Sequence, residues 1–258
     1  MKTRLITGLF LLCIFIPVIF LGGPYFFGCI GAIGLLMCYE FFLMGRISLL
    51  STRAILGFML VLPLYFIYYT HPSLIDHPFL LILYLVILIL GCIELYLKKL
   101  VFFIHFIPFR LLFFIGLLLP FLGFIRLEQN GLIFCLFFLS LIWVTDSSAY
   151  FIGKLFGKTK LSSISPKKTW EGSIGGLIIA ILFSFCFFPF LSLPLLPFLF
   201  LVLLTCVLSQ LSDLHQSLTK RHFNVKDSSQ LLPGHGGFYD RCDSYLLAAP
   251  FFYYFIFY

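Results

Sequence analysis

Charge is what this sequence has least of. Its 258 residues include 10 acidic and 17 basic side chains, so only 10% of the chain is charged, where soluble domains carry about 25%. That shortage excludes a large aqueous domain, because so few ionic groups cannot cover a water-facing surface. Paired cysteines are missing too. The eight cysteines, at 13, 29, 38, 92, 135, 186, 206 and 242, stand singly and mostly inside apolar runs, so neither a disulfide framework nor a zinc site is expected. Short alternating strands are absent, which leaves helices rather than a barrel as the means of satisfying backbone hydrogen bonds in lipid. A true P-loop is also lacking. Gly153 to Thr159 reads Gly-x-x-x-Gly-Lys-Thr, one residue short and with no strand before it.

Apolar residues fill what charge leaves empty. The chain is 62% hydrophobic with 36 Phe, its mean hydropathy is +1.12, and its runs approach the ~20 residues that one helix needs to cross a bilayer. Dividing it at Gly, Pro and charge gives spans at 5–21, 25–44, 54–70, 79–97, 109–125, 131–153, 172–190, 194–211 and 244–258. The expectation is an all-α polytopic transmembrane bundle of about nine spans, with its active site on cytoplasmic loops and helix ends. The first run ends in Gly22-Gly23-Pro24 without an A-x-A-like site, so it reads as a membrane helix rather than a signal peptide. Residues 98–110, with His105 and Pro108, are expected to lie in the interface or to extend the fifth span.

With the N-terminus in the cytoplasm, every basic residue except Arg110 and Arg126 falls in an inner segment. The positive-inside rule therefore sets the orientation. The net charge of +7 then needs no nucleic-acid partner, since basic inner loops face anionic lipid headgroups.

Six of the ten acids (Asp146, Glu171, Asp213, Asp227, Asp240 and Asp243) follow residue 140. Residues 1–140 accordingly read as a membrane-helix scaffold and 141–258 as the catalytic membrane region. If the eighth span continues as a helix, Asp213, Ser217, Lys220 and Arg221 fall at i, i+4, i+7 and i+8, placing an acid, a hydroxyl and two cations on one face. A helix emerging into water with a solvated charged end is the bland alternative. Pro233-Gly234-His235-Gly236-Gly237 follows, a segment able to take left-handed turns and to line an anion site with N–H groups. Asp240-Arg241-Cys242-Asp243 comes next. Carboxylates together with phosphate oxygens are the usual ligands of Mg²⁺, so Asp213 and Asp240, brought together by the loop, are candidate ligands with Ser217 beside them.

In the sixth span Trp143, Asp146, Tyr150 and Gly153 share a helical face, and an intramembrane Asp is a functional candidate. A hydrogen bond to Ser147 or to a neighbouring helix would also explain it. Asp146 with Tyr150 reads as a polar wall admitting a lipid headgroup. Lys167 and Lys168 open the seventh helix, where two cations oppose the dipole unless an anion sits there. Glu94 is accounted for by an i,i+4 pair with Lys98, and Glu40 by reach to the interface. His71, His77 and His105 read as interface or packing residues, and His215 and His222 as solvated.

The run Ser217-x-x-Lys220-Arg221-x-x-x-x-Lys226-Asp227, then Pro233-Gly234-His235-Gly236-Gly237-x-x-Asp240-Arg241-x-Asp243, closely resembles the signature of phosphatidate cytidylyltransferases, the CDP-diacylglycerol synthases. Trp143-x-x-Asp146-x-x-Ala149-Tyr150-x-x-Gly153 and Ser165-Pro166-Lys167-Lys168-Thr169-x-Glu171-Gly172 look like that family's two other polar blocks, in the same order. The chain departs from the pattern at Ser212, where the family usually has Gly, at Gln216, usually an acid, and at Thr219, usually aliphatic or aromatic.

The resemblance implies transfer of CMP from CTP to phosphatidic acid, with Mg²⁺ and room for a second cation. It implies a catalytic set of Asp213, Asp240, Lys220, Arg221, Lys226 and Arg241. Asp146, Tyr150, Lys167, Lys168, Ser217, Asp227, Gly234, His235, Gly236, Gly237 and Asp243 would contact substrate. A homodimer in a bacterial inner membrane is implied as well. The alternatives are a CTP-dependent lipid kinase of the dolichol type, a polytopic transporter, and a scaffold without catalysis. On this reading a topology reporter fused after Tyr258 is active outside the cytosol, and activity only in the cytosol would mean that one span has been miscounted.

Overall fold

In the computed structural model, residues 2–76, 78–101 and 107–258 are described, so the expectations for His77 and His105 fall outside the described residues. Nine apolar helical segments follow one another among these residues: α1 Lys2–Leu21, α2 Gly23–Met44, α3 Thr52–Thr70, α4 Pro78–Leu97, α5 Ile107–Leu127, α6 Gly131–Phe156, α7 Trp170–Ser184, α8 Leu195–His222 and α9 Ala248–Phe257. Six of them (α2 to α6 and α8) are long and apolar enough to cross a membrane, while the apolar parts of α1, α7 and α9 are shorter. The all-helical, membrane-embedded architecture read from the sequence is what the chain has.

Three boundaries differ from the expected spans, each for a local reason. The seventh span ends at Ser184, and Phe188–Leu191 forms a separate helical turn with Pro189 in its first positions. The ninth begins only at Ala248, because residues 233–247 are folded into the polar loop. The eighth runs on to His222. There Asn224 adopts a left-handed φ of 57° and the Val225 amide donates back to the Lys220 carbonyl at 3.0 Å, a Schellman-type closure. α5 starts at Ile107, so residues 107–110 of the 98–110 segment belong to the fifth span. It carries a π-helical turn over Leu112–Leu117. Pro120 offers no N–H to the turn before it, and the Ile115 carbonyl accepts from the Tyr65 hydroxyl at 3.1 Å besides the Leu119 amide at 3.4 Å.

Because lipid removes the hydrophobic drive between helices, close fit has to supply the association. Phe and Tyr interleave through one continuous core that joins both halves of the chain, for example Phe27 with Phe124 and Phe138 with Phe252. α6 and α7 meet through small residues: a Cβ added at Gly176 would lie 2.8 Å from the Ala149 Cβ and 2.9 Å from the Thr145 carbonyl.

Beside the polar end of the bundle, α4, α5 and α8 are tied by buried charges. Arg110 donates from Nη1 and Nη2 to the two Glu94 oxygens at 3.1 and 3.0 Å, and His215 Nε2 lies 2.8 Å from Glu94 Oε2. The imidazole stacks on Phe114 with ring centroids 4.6 Å apart. Two expectations are corrected here. Glu94 does not pair with Lys98, because its side chain faces the interior; His215 is not solvated, because it lies on the face of α8 turned toward α4 and α5. Replacing Glu94 with Gln leaves Arg110 buried and undercompensated, a change that costs about 3–5 kcal/mol in such pairs. The expected outcome is a clear drop in the unfolding temperature of the detergent-purified protein, and an unchanged transition would contradict the buried pair.

Candidate active site

α8 works with two faces. His215 and Thr219 look toward Arg110 and Glu94, while Asp213, Ser217 and Lys220 look toward the 157–169 loop and the 228–247 loop. The helix-face expectation for Asp213, Ser217 and Lys220 therefore holds geometrically. Arg221 is exposed and closes the end of α8, donating from Nη1 to the Val225 carbonyl at 2.9 Å.

Lysines and carboxylates neutralise one another on the first face. The Lys168 ammonium pairs with Asp213 Oδ2. Lys220 Nζ is 2.7 Å from Asp240 Oδ1 and 3.9 Å from Asp243 Oδ2. Asp146 accepts from the Ser244 hydroxyl at 2.8 Å and adds its charge to the same cluster, which burial and the Asp213 carboxylate disturb most at Asp243. Together they hold the Asp243 carboxyl well above the usual carboxylate range, with Asp146 adding to the effect and Lys220 and Lys168 opposing it. At Asp240 burial also works against charge, but Lys220 and the Ser228 and Gly237 amides prevail and keep its carboxyl below the usual range.

Lys168 is thus compensated by a protein carboxylate, and the α7 N-terminus is further capped by the Thr169 hydroxyl, which accepts from the Gly172 amide. The dipole conflict expected at Lys168 is met in this way by Asp213. Lys167 is exposed, as are Lys226, Asp227 and Arg241. Tyr150 is 64% and Trp143 70% exposed, and Asp146 is the residue of that helical face that bonds within the cluster.

The glycine loop has a different internal logic from the expected anion cradle. Asp240 Oδ2 accepts from the Ser228 amide at 2.8 Å and the Gly237 amide at 3.0 Å, with the Ser228 hydroxyl 2.9 Å away, while Lys220 lies on Oδ1. Glu40, expected to reach the interface, is instead wholly buried beneath the loop. It accepts from the Phe238 and Tyr239 amides at 3.0 and 2.7 Å and from the Ser228 and Ser229 hydroxyls at 3.0 and 2.7 Å. The amides at 237–239 therefore face protein carboxylates. Gly236 takes φ 81°, and a Cβ at Gly237 would stand 2.2 Å from Ser228 Oγ and 2.3 Å from Glu40 Oε1. Gly234 is also left-handed, at φ 79°. The His235 carbonyl accepts from Arg241 Nε at 3.0 Å, and its ring lies beside Gly8 of α1.

Among the described residues no group of three or more His, Cys, Asp and Glu is arranged to hold a metal by itself. Mg²⁺ asks for less, one or two carboxylates with substrate phosphates and water. Asp213, with Ser217 Oγ 3.5 Å from its Oδ1, offers hard oxygen donors. The cluster as a whole sets four carboxyl groups (Asp146, Asp213, Asp240, Asp243) around two ammonium groups (Lys168, Lys220), with Asp243 held well above the usual carboxylate range by that crowding. The donor set fits a divalent cation.

A sequence model described as the cytidylyltransferase family matches residues 2–258 of this chain. The chain belongs to the cytidylyltransferase family. Among the relatives of this cytidylyltransferase, a phosphatidate cytidylyltransferase of Bacillus subtilis (strain 168) is 36% identical over 264 residues, covering 98% of this chain and 97% of the relative. One of Haemophilus influenzae is 33% identical over 285 residues, covering 100% and 99%, and one of Staphylococcus haemolyticus is 35% identical over 262 residues, covering 97% and 96%.

The three departures from the cytidylyltransferase signature have local partners or surroundings. The Ser212 hydroxyl links the Asp243 carbonyl, to which it donates, with the Leu247 amide, from which it accepts. Thr219 donates to the His215 carbonyl at 3.1 Å and lies 3.5 Å from Arg110 Nη2. Gln216 is buried, and its Oε1 lacks a partner. The residues that sequence reasoning missed are Glu40, Glu94, Arg110 and His215. A carboxylate in an apolar run without a compelling local partner was the available signal at Glu40.

Proposed function

We propose that this family member transfers CMP from CTP to phosphatidic acid, giving CDP-diacylglycerol and pyrophosphate. The observation that carries the reading is the lysine–carboxylate cluster of Asp146, Lys168, Asp213, Lys220, Asp240 and Asp243 on the signature residues at one end of a membrane bundle. The names of the relatives support the same reaction. The enzyme works as an integral membrane protein of the bacterial inner membrane with its N-terminus in the cytoplasm, an arrangement supported by the basic inner segments and the bacterial relatives. The homodimer rests on the family resemblance alone.

Phosphatidic acid brings its own nucleophile. By analogy with phosphorylated side chains its second pKa is near ~6, so an anionic phosphate oxygen is available at neutral pH and no general base is needed. The oxygen attacks the α-phosphorus of CTP, a P–O bond to the lipid phosphate forms, and the bond to pyrophosphate breaks. The protein's task is to bring two polyanions together and to stabilise the departing charge. Lys168 and Lys220 already hold anionic oxygens, and a substrate phosphate presents the same chemistry in place of Asp213 or Asp243. Arg221, Lys226, Arg241 and Lys167, all exposed, form the cytosolic rim that meets the triphosphate. Asp213 with Ser217, and Asp243 beside them, would hold Mg²⁺, which when bound supplies charge neutralisation for the phosphates.

The test is purified protein in micelles with CTP labelled at the α-phosphate, phosphatidic acid and Mg²⁺. The label enters the lipid and pyrophosphate is released; release of CDP with no label in the lipid would identify a kinase and sink the proposal. Asp213→Asn lowers turnover by about two or more orders of magnitude while the protein purifies normally, and Lys168→Gln lowers kcat/KM by at least ~10-fold. Near-normal activity in both removes the pair from the mechanism.

A further inference from the structure

Glu40 is a buried carboxylate with an unusual set of partners. It lies at 0% exposure on α2, and among the described residues no lysine, arginine or histidine forms an ion pair with it. Its charge is balanced instead by four neutral donors from one loop, the Ser228 and Ser229 hydroxyls at one end and the Phe238 and Tyr239 amides at the other. Packing alone would not select this side chain, because an apolar residue avoids the desolvation of a carboxylate. What the carboxylate adds is acceptor capacity at both oxygens, with charge-assisted bonds from the Ser229 hydroxyl and the Phe238 and Tyr239 amides and a share in the one Ser228 hydroxyl proton, which also faces Asp240. A Gln in its place would present one acceptor and an NH₂ group that faces donors.

The loop it grips carries the active-site cluster. The Ser228 hydroxyl lies 3.0 Å from Glu40 Oε2 and 2.9 Å from Asp240 Oδ2, bridging the two carboxylates. Asp240 in turn fixes Lys220, which faces Asp243. α2 is a firm base for this chain of contacts: Phe41 and Phe42 beside Glu40 are buried, and Phe41 packs edge-on against Phe223 and tilted against Tyr239. Glu40 itself touches none of the residues assigned to phosphate.

We infer that Glu40 is a positioning residue for the nucleotide side of the site, clamping both ends of the 228–239 segment so that Asp240 and Lys220 are held in register for the triphosphate. This rests on the transfer reaction proposed above. It extends that reaction into the half of the chain that carries none of the signature.

The experiment uses full-length protein in micelles with CTP, phosphatidic acid and Mg²⁺, together with amide hydrogen exchange on the same preparations. Glu40→Gln should raise KM for CTP by at least about fivefold and lower kcat/KM for CTP by at least about tenfold, with KM for phosphatidic acid within about twofold of wild type. The Phe238 and Tyr239 amides should exchange at least about tenfold faster while α8 stays protected. Glu40→Asp, which keeps the charge, should recover part of both effects. Wild-type kinetics in Glu40→Gln would overturn the inference. So would a uniform fall in kcat with both KM values and the exchange at 238 and 239 unchanged, which is the mark of a smaller active fraction. If Glu40→Gln cannot be purified, Ser229→Ala removes one of the four donors and should raise KM for CTP by about two- to fivefold, and an unchanged value there overturns it equally. If wild-type protein fails to label lipid at all, the reaction is at fault, and the exchange rates still decide whether Glu40 clamps the loop.

Discussion

Four carboxylates share two ammonium groups at one end of this bundle, and much of the rest of the molecule serves to keep them there. Isolated charges in a low-dielectric interior are costly, so each must be paired or hydrogen-bonded. Asp213 and Asp240 have Lys168 and Lys220, Asp146 has Ser244, and Asp243 lies within reach of Lys220 at the cost of a strongly perturbed carboxyl group. The arrangement crowds carboxyl groups together, and the perturbed Asp243 shows it. A site in that condition favours an arriving cation and can release its lysines to an arriving anion, which is what a metal–triphosphate brings.

Rigidity is supplied from beneath. On one side of α8 the Glu94–Arg110–His215 group fixes the rotation of the helix, since His215 and Thr219 can meet Arg110 in only one orientation while Asp213 and Lys220 face the cluster. On the other side Glu40 and Asp240 fix the glycine loop from two directions through Ser228. The glycines at 236 and 237 are needed because two carboxylates lie against the backbone there, leaving no room for side chains. The helix and the loop that carry the cluster are thus held before substrate arrives, and only the lysine and carboxylate side chains have to exchange partners when it does.

Much of this was legible in the sequence. Low charge and long apolar runs led to a helical membrane bundle. The polar stretch from Asp213 to Asp243 led to the site because its spacing follows the helix period and then breaks at glycines. The resemblance at Lys220, Arg221 and the Pro233–Gly237 run led to the family. What was hidden depends on which residues meet across the bundle. Glu94 and Lys98 satisfy an i,i+4 rule that the fold does not use, because rotation of α4 turns Glu94 inward to Arg110 and His215. Glu40 lies 188 positions before Ser228, a separation over which no local pattern operates. The glycine loop promised free amides; only the positions of Glu40 and Asp240 show that those amides are occupied.

The central claim is that Lys168 and Lys220 hold the cluster's carboxylates and pass to phosphate when nucleotide arrives. A structure of the full chain with CTP and Mg²⁺ tests it most directly. The account predicts Lys168 and Lys220 in contact with phosphate oxygens, with Asp213 parted from Lys168 and turned to the metal. A complex in which the Lys168–Asp213 pair stays intact and the triphosphate lies elsewhere would contradict it.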